Sequence, residues 1–114
     1  MANTFKVATK AGVTSSDVIY TVASSTTTVV IGLVLGNTTG SQVTATVSLV
    51  TDTANRTNAN DEVNQTVELI TNAPIPSGSS LSPLDGKIVM EATDNITVSA
   101  TGAVDVILSI MEIT

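Results

Sequence analysis

Carboxylates and hydroxyls are the groups with which this chain of 114 residues could do chemistry: it has ten Asp and Glu, many Ser and Thr, and neither His nor Cys. Asp61-Glu62 and Asp94 are oxygen donors of the kind that Ca²⁺ takes. They lack the alternating Asp-x-Asp-x-Asp-Gly spacing of a calcium loop. Asp85-Gly86 and Asp94-Asn95 are turn dipeptides, whose side chains cap their own backbone. Solvated turns are therefore the reading these residues favour over a metal. Paired carboxylates for glycoside hydrolysis need a cleft and a fixed separation. Sugar subsites are usually lined by aromatic rings, and Phe5 and Tyr20 are the only two rings here. A serine nucleophile needs an activating base. With no His and no Ser-x-x-Lys spacing, the Ser and Thr read as structural. The absence of Cys removes thiolate chemistry and disulfides. The chain reads as a non-enzyme with no cofactor and no metal.

Two other spacings have structural explanations. Gly32 and Gly36 stand four apart, which in a strand marks a bulge or a close backbone approach. Asn-x-Thr triplets begin at Asn37, Asn55, Asn64 and Asn95, as chance provides in a Thr-rich chain; they read as turns and edges. The segment Met1 to Lys6 lacks the apolar core of a signal peptide, so synthesis in the cytoplasm and use without Sec export are expected. The formal net charge of −6 rests on four scattered cations, Lys6, Lys10, Arg56 and Lys87. An acidic chain without a basic patch is a poor ligand for nucleic acid or an anionic membrane.

The elements that position these groups read as strands. Thr27 to Gly36 is a near-continuous, largely β-branched apolar run, the pattern of a strand covered on both faces. Val104 to Ile113 is the other such run. It sets Val104, Val106, Leu108 and Ile110 on one face and Ile107, Ser109, Met111 and Ile113 on the other. Both strands are expected to be central, and they are candidates to lie side by side. Gln42 to Thr51 alternates strictly, with Val43, Ala45, Val47 and Leu49 on one face. Asn37 to Gly40 is short enough to join it to the central run as a hairpin. Residues 1–10 read as an N-terminal arm or edge strand around Phe5 and Val7, followed by a turn at Gly12 and Thr14-Ser15-Ser16. Asp17 to Val22 reads as a strand with Val18, Tyr20 and Val22 on one face. Residues 52–64 form a long polar loop. Thr66 to Thr71 returns as a strand that Pro74 and Pro76 end. Leu81 to Gly86 is irregular or a short strand, and Lys87 to Ala92 and Ile96 to Thr101 are short strands. The sum is about eight short strands without substantial helix. It predicts a single all-β domain over residues 1–114, an antiparallel β-sandwich of jelly-roll-like kind.

A core without aromatic bulk must be built of Val, Ile, Leu and Met and will be thin. One such domain can hardly cover both faces of both apolar strands. Assembly with other chains is expected to supply the remaining burial.

Several stretches together resemble small virion structural proteins of tailed bacteriophages, including marine and cyanobacterial ones. They are Met1-Ala2-Asn3-Thr4-Phe5-Lys6, Ile19-Tyr20-Thr21-Val22 with Ser24 to Leu33, Ala73-Pro74-Ile75-Pro76-Ser77-Gly78-Ser79-Ser80-Leu81, and Val104 to Ile113. The resemblance covers nearly the whole chain in the same order. It implies a β-sandwich on the virion, in many copies and without catalytic residues. The leading expectation is a capsid decoration (cement) protein. It would sit between capsomers as a homo-oligomer, a trimer being favoured, with the major capsid protein or another virion protein as partner. A neck, tail or fibre-associated component is the alternative. A host-surface-binding module is the other, and the shortage of aromatics counts against it. Contact would come from Phe5, Lys6 and Val7 of the N-terminal stretch, from Pro74, Ile75, Pro76, Leu81 and Leu84, and from Arg56 of the polar loop.

Overall fold

The computed structural model describes residues 2–51 and 65–114. Among these are nine strands and no helix: β1 (Asn3–Val13), β2 (Ser16–Thr21), β3 (Thr27–Asn37), β4 (Val43–Thr51), β5 (Gln65–Ile75), β6 (Ser80–Leu81), β7 (Ile88–Met90), β8 (Asn95–Ala100) and β9 (Val104–Ile113). They form two antiparallel sheets. Sheet A has the order β1-β9-β3-β6, with β7 also paired to β3, and sheet B has the order β2-β8-β4-β5.

The pairing has a simple logic. β1 pairs with β9, β2 with β8, β3 with both β6 and β7, and β4 with β5. The chain is thus one long antiparallel hairpin, wound so that successive pairs alternate between the sheets. β6 and β7 share one strand position. This is the winding of a jelly roll, a double-sheet solution that leaves few open edges. The two long apolar strands are neighbours, β3 against β9 at the centre of sheet A.

The core lies between the sheets. Val30, Leu33, Leu35, Val104, Val106, Leu108 and Ile110 of sheet A face Val43, Ala45, Val47, Ile75, Ile96 and Val98 of sheet B, all nearly inaccessible. It contains no aromatic ring among its fully buried members. A β-bulge between Val30 and Gly32 sets the phase of β3. Thr28 and Val30 point inward before it, and Leu33, Leu35 and Asn37 after it. Without that extra residue the inward set would flip to the other face halfway along the strand.

Several sequence-based expectations are corrected. Asn37 to Gly40 does not close a hairpin, because β3 and β4 belong to different sheets. Asn37 is buried and builds the crossing. Its Nδ2 donates to Ser41 O at 2.8 Å and Ile75 O at 2.9 Å, and its Oδ1 accepts from Thr39 N at 2.9 Å and Thr39 Oγ1 at 2.8 Å. Val18, Tyr20 and Val22 do not share a face. A register shift between Val18 and Tyr20 leaves Val18 exposed while Tyr20 and Val22 turn inward. Gly12 lies within β1, at φ 69°, where the ladder to β9 slips between Lys10 and Val13; that backbone suits glycine. Pro74 does not end its strand. β5 continues to Ile75, because it is the outer strand of sheet B and a missing donor there faces no neighbour. Of the two readings of the N-terminal stretch, arm or edge strand, Asn3 to Lys10 take the second, since β1 is laddered to β9 from Asn3 onward.

Candidate interaction surface

The outer face of sheet A is where the chain leaves apolar area uncovered. Residues of one parity on β1 and β9 point away from the core, and the ladder aligns them into rungs. One rung runs Phe5, Met111, Val29, Val89 across β1, β9, β3 and β7. Another runs Thr9, Ile107, Val34. Ile31, pushed out by the bulge, stands between them. Phe5 is 73% exposed, Val7 63%, Val89 61%, Ile107 48%, Ile31 41% and Val34 37%. The residues at the rung positions from Asn3-Ile113-Thr27 to Thr9-Ile107-Val34 are all uncharged.

The outer face of sheet B is built differently. Its rungs run Ser16, Ser99, Thr46 and Val18, Thr97, Ser48, Glu68. Hydroxyls dominate it, and such a face is content in water. The two faces of the sandwich are therefore chemically distinct: one asks to be covered, the other does not.

What pins β1, the strand that carries Phe5 and Val7, is a polar cluster on the opposite side of sheet A. Lys6 points away from the apolar face, and its Nζ lies 2.9 Å from Glu112 Oε1 on β9. The Tyr20 hydroxyl, arriving from sheet B, donates to Glu112 Oε2 at 2.5 Å. It also lies 2.7 Å from Thr28 Oγ1 on β3. Four strands from both sheets are thus tied together, β1, β2 and β9 at one carboxylate and β3 through the Tyr20 hydroxyl. The Tyr20 hydrogen bond, then Lys6, hold the Glu112 carboxyl below its ordinary range. Burial, then the adjacent carboxylate, push the Tyr20 phenol up to about 12.

The signs follow by linkage. Glu112, depressed in the folded state, adds stability above the ordinary carboxylate range, and this is lost as pH falls through its lowered value. Tyr20, raised, adds stability that is whole below about pH 10 and is lost as pH rises toward 12. Tyr20 is the only tyrosine and there is no tryptophan, so phenolate absorbance reports this one site. The native chain is expected to titrate near pH 12 and the denatured chain near its ordinary value of 10. Glu112→Gln should bring the native midpoint part of the way down, leaving the part due to burial.

The other sequence-nominated contact residues separate. Pro74 and Pro76 are exposed. Leu81 and Leu84 are half-buried against the core. Leu84 lines an open hollow of about 260 Å³ with Leu69, Pro83 and Ile88. Ile75 is a correction: it is 1% exposed and is a core residue, not a contact. Arg56 and the loop 52–64 lie outside the described residues. Phe5 and Val7 share the apolar face, whereas Lys6 is turned from it. Sequence reasoning did not nominate Ile31, Val34, Val89 or Ile107 as contacts. For Ile31, Val34 and Ile107 the signal lay in the outward parity of the two apolar runs, which shows only once their register is known; Val89 joins them through the pairing of β7 with β3. Among the described residues no three acidic side chains gather as a metal site would require. Asp94 is buried, and its Oδ2 accepts from Glu91 N at 3.0 Å within its own turn.

No family model and no curated protein matches the chain. A solved structure of Bacillus endospore appendages, described as disulfide-linked pili, aligns over 96% of this chain and 85% of its own, at 16% identity and a TM-score of 0.43. A likeness that distant carries no argument about function, and the present chain has no cysteine with which to form a disulfide.

Proposed function

We propose that this chain is a non-enzymatic structural protein of a tailed-bacteriophage virion. In this reading it is a capsid decoration (cement) protein that binds between capsomers of the assembled head as a homo-oligomer, a trimer in the favoured form. The observation that carries the reading is the apolar outer face of sheet A, uncharged over the rungs from Asn3 to Thr9. A surface of this kind is expected of a protein whose working state is an assembly. The jelly-roll winding is a fold-level analogy that agrees with it, since virion shells use that architecture repeatedly. The sequence resemblance supplies the particle, and the major capsid protein is the partner it implies.

The mechanism is mass action. A protein that binds only the assembled shell lowers the free energy of that state relative to its parts. Each contact can be weak, because many equivalent sites and an oligomeric ligand multiply its effect. A host-surface module would present aromatic platforms, whereas this face offers Phe5 alone.

Quantitative mass spectrometry of purified virions tests the reading. Several hundred copies per particle are expected. A count of about six or twelve, matching the rotational symmetry of a neck or tail, would favour that location and remove the cement role. Absence from the particle would remove the virion role altogether.

A further inference from the structure

We infer that the outer face of sheet A is covered by the same face of further copies of this chain, packed about a rotation axis, so that Phe5, Ile31, Val34, Val89 and Ile107 form the apolar core of the homo-oligomer. The inference rests on the homo-oligomeric reading above and names its surface. Three features of the face favour a like partner.

The first is charge. The chain carries −6 overall, yet the rungs of this face from Asn3 to Thr9 hold no charged residue; the one carboxylate beyond them, Asp105 opposite Gly36, accepts from Gly12 N at 2.9 Å. A strongly basic or acidic partner would find only that single carboxylate at the end of the face, and an anionic lipid surface would be repelled by the rest of the molecule. A second uncharged apolar sheet meets neither obstacle. The second is area. The six exposed apolar side chains leave on the order of 500 Å² open, within the range at which patches on monomers mark interaction sites. With the half-buried Val29, Met111 and Ile113, the face approaches the roughly 800 Å² that each partner gives to a standard interface. The third is shape. The face is a sheet of β-branched and aliphatic side chains at regular pleat spacing, the surface that packs on another sheet about 10 Å away in any sandwich. Rotational symmetry repeats the patch on every copy, so one surface suffices to close the assembly.

The test is sedimentation velocity of the full chain at about 10 µM, on the wild type and on variants shown by circular dichroism to be folded. Ile107→Glu puts an unpaired carboxylate into the proposed seam without touching the core, since Ile107 is half exposed. Phe5→Glu does the same at the β1 side. Val18→Glu, on the exposed outer face of sheet B, is the control. The expected result is an oligomeric wild type, an oligomeric Val18→Glu variant, and monomers for the other two, with dissociation moved by at least ~100-fold. A wild type that stays monomeric to about 100 µM, or an oligomer that survives both seam variants, would overturn the inference. A monomer found in hundreds of copies per virion would leave the decoration role standing while removing self-packing. An Ile107-sensitive oligomer absent from virions would do the reverse.

Discussion

Ile75→Ala is expected to lower the unfolding free energy by about 3 kcal/mol, within the range for deleting a buried aliphatic side chain. Ile75 closes β5 at the sheet B side of the core and is 1% exposed. Its neighbours belong to a core without aromatic bulk, so the loss is a large share of the roughly 5–15 kcal/mol that holds a domain of this size together. Urea unfolding at fixed protein concentration would show a lower midpoint with an unchanged slope. Flanked by Pro74 and Pro76, Ile75 looks from sequence like a loop contact. A contact residue would behave otherwise: the substitution would change association and leave the unfolding of the monomer alone.

Asn37→Asp is expected to cost about 4 kcal/mol at neutral pH, as removing a buried donor and adding a buried charge require. The substitution is nearly isosteric. It keeps the acceptor that serves Thr39 N and Thr39 Oγ1, but it replaces the amide that donates to Ser41 O and Ile75 O by an oxygen. Two carbonyls lose their donor and face a carboxylate in a buried site. Burial raises the pKa of such an acid. Its neutral form is then favoured in the folded state, so the penalty grows as pH rises above the ordinary carboxylate range and shrinks below about pH 4. Thermal unfolding of wild type and variant at pH 4 and pH 7 reads this directly. The gap between them should be wider at pH 7.

The sequence was legible where a pattern is local. The alternation of Val104 to Ile113 and of Val43 to Leu49 assigned inward and outward residues correctly on both strands. The two apolar runs read as central strands and as candidates to pair, and they are neighbours at the centre of sheet A. What could not be read was long-range. Whether Pro74 breaks a strand depends on whether β5 is an edge, and that is decided by residues far away in the chain. The spacing of Gly32 and Gly36 offered a bulge or a close backbone approach, and a bulge does lie between Val30 and Gly32; the phase change it brings leaves no mark on the pattern, because every residue around it is apolar. Asn37 looks like any turn residue, yet its amide is satisfied by Ile75, 38 positions on. The candidate surface was half visible for the same reason. That β3 and β9 have too much apolar area for one domain could be argued from composition. That Phe5, Val29, Val89 and Met111 stand on a single rung could not, because only the register of four strands brings them together.

That rung gives the most direct measurement. The chain has no tryptophan, so Phe5→Trp places a single indole on the outer face of sheet A. If this face is the contact surface, raising the protein concentration through the self-association range will shift the emission to shorter wavelength and reduce quenching by iodide. Emission and quenching that stay those of a water-exposed indole at every concentration, in an otherwise oligomeric protein, would contradict the account.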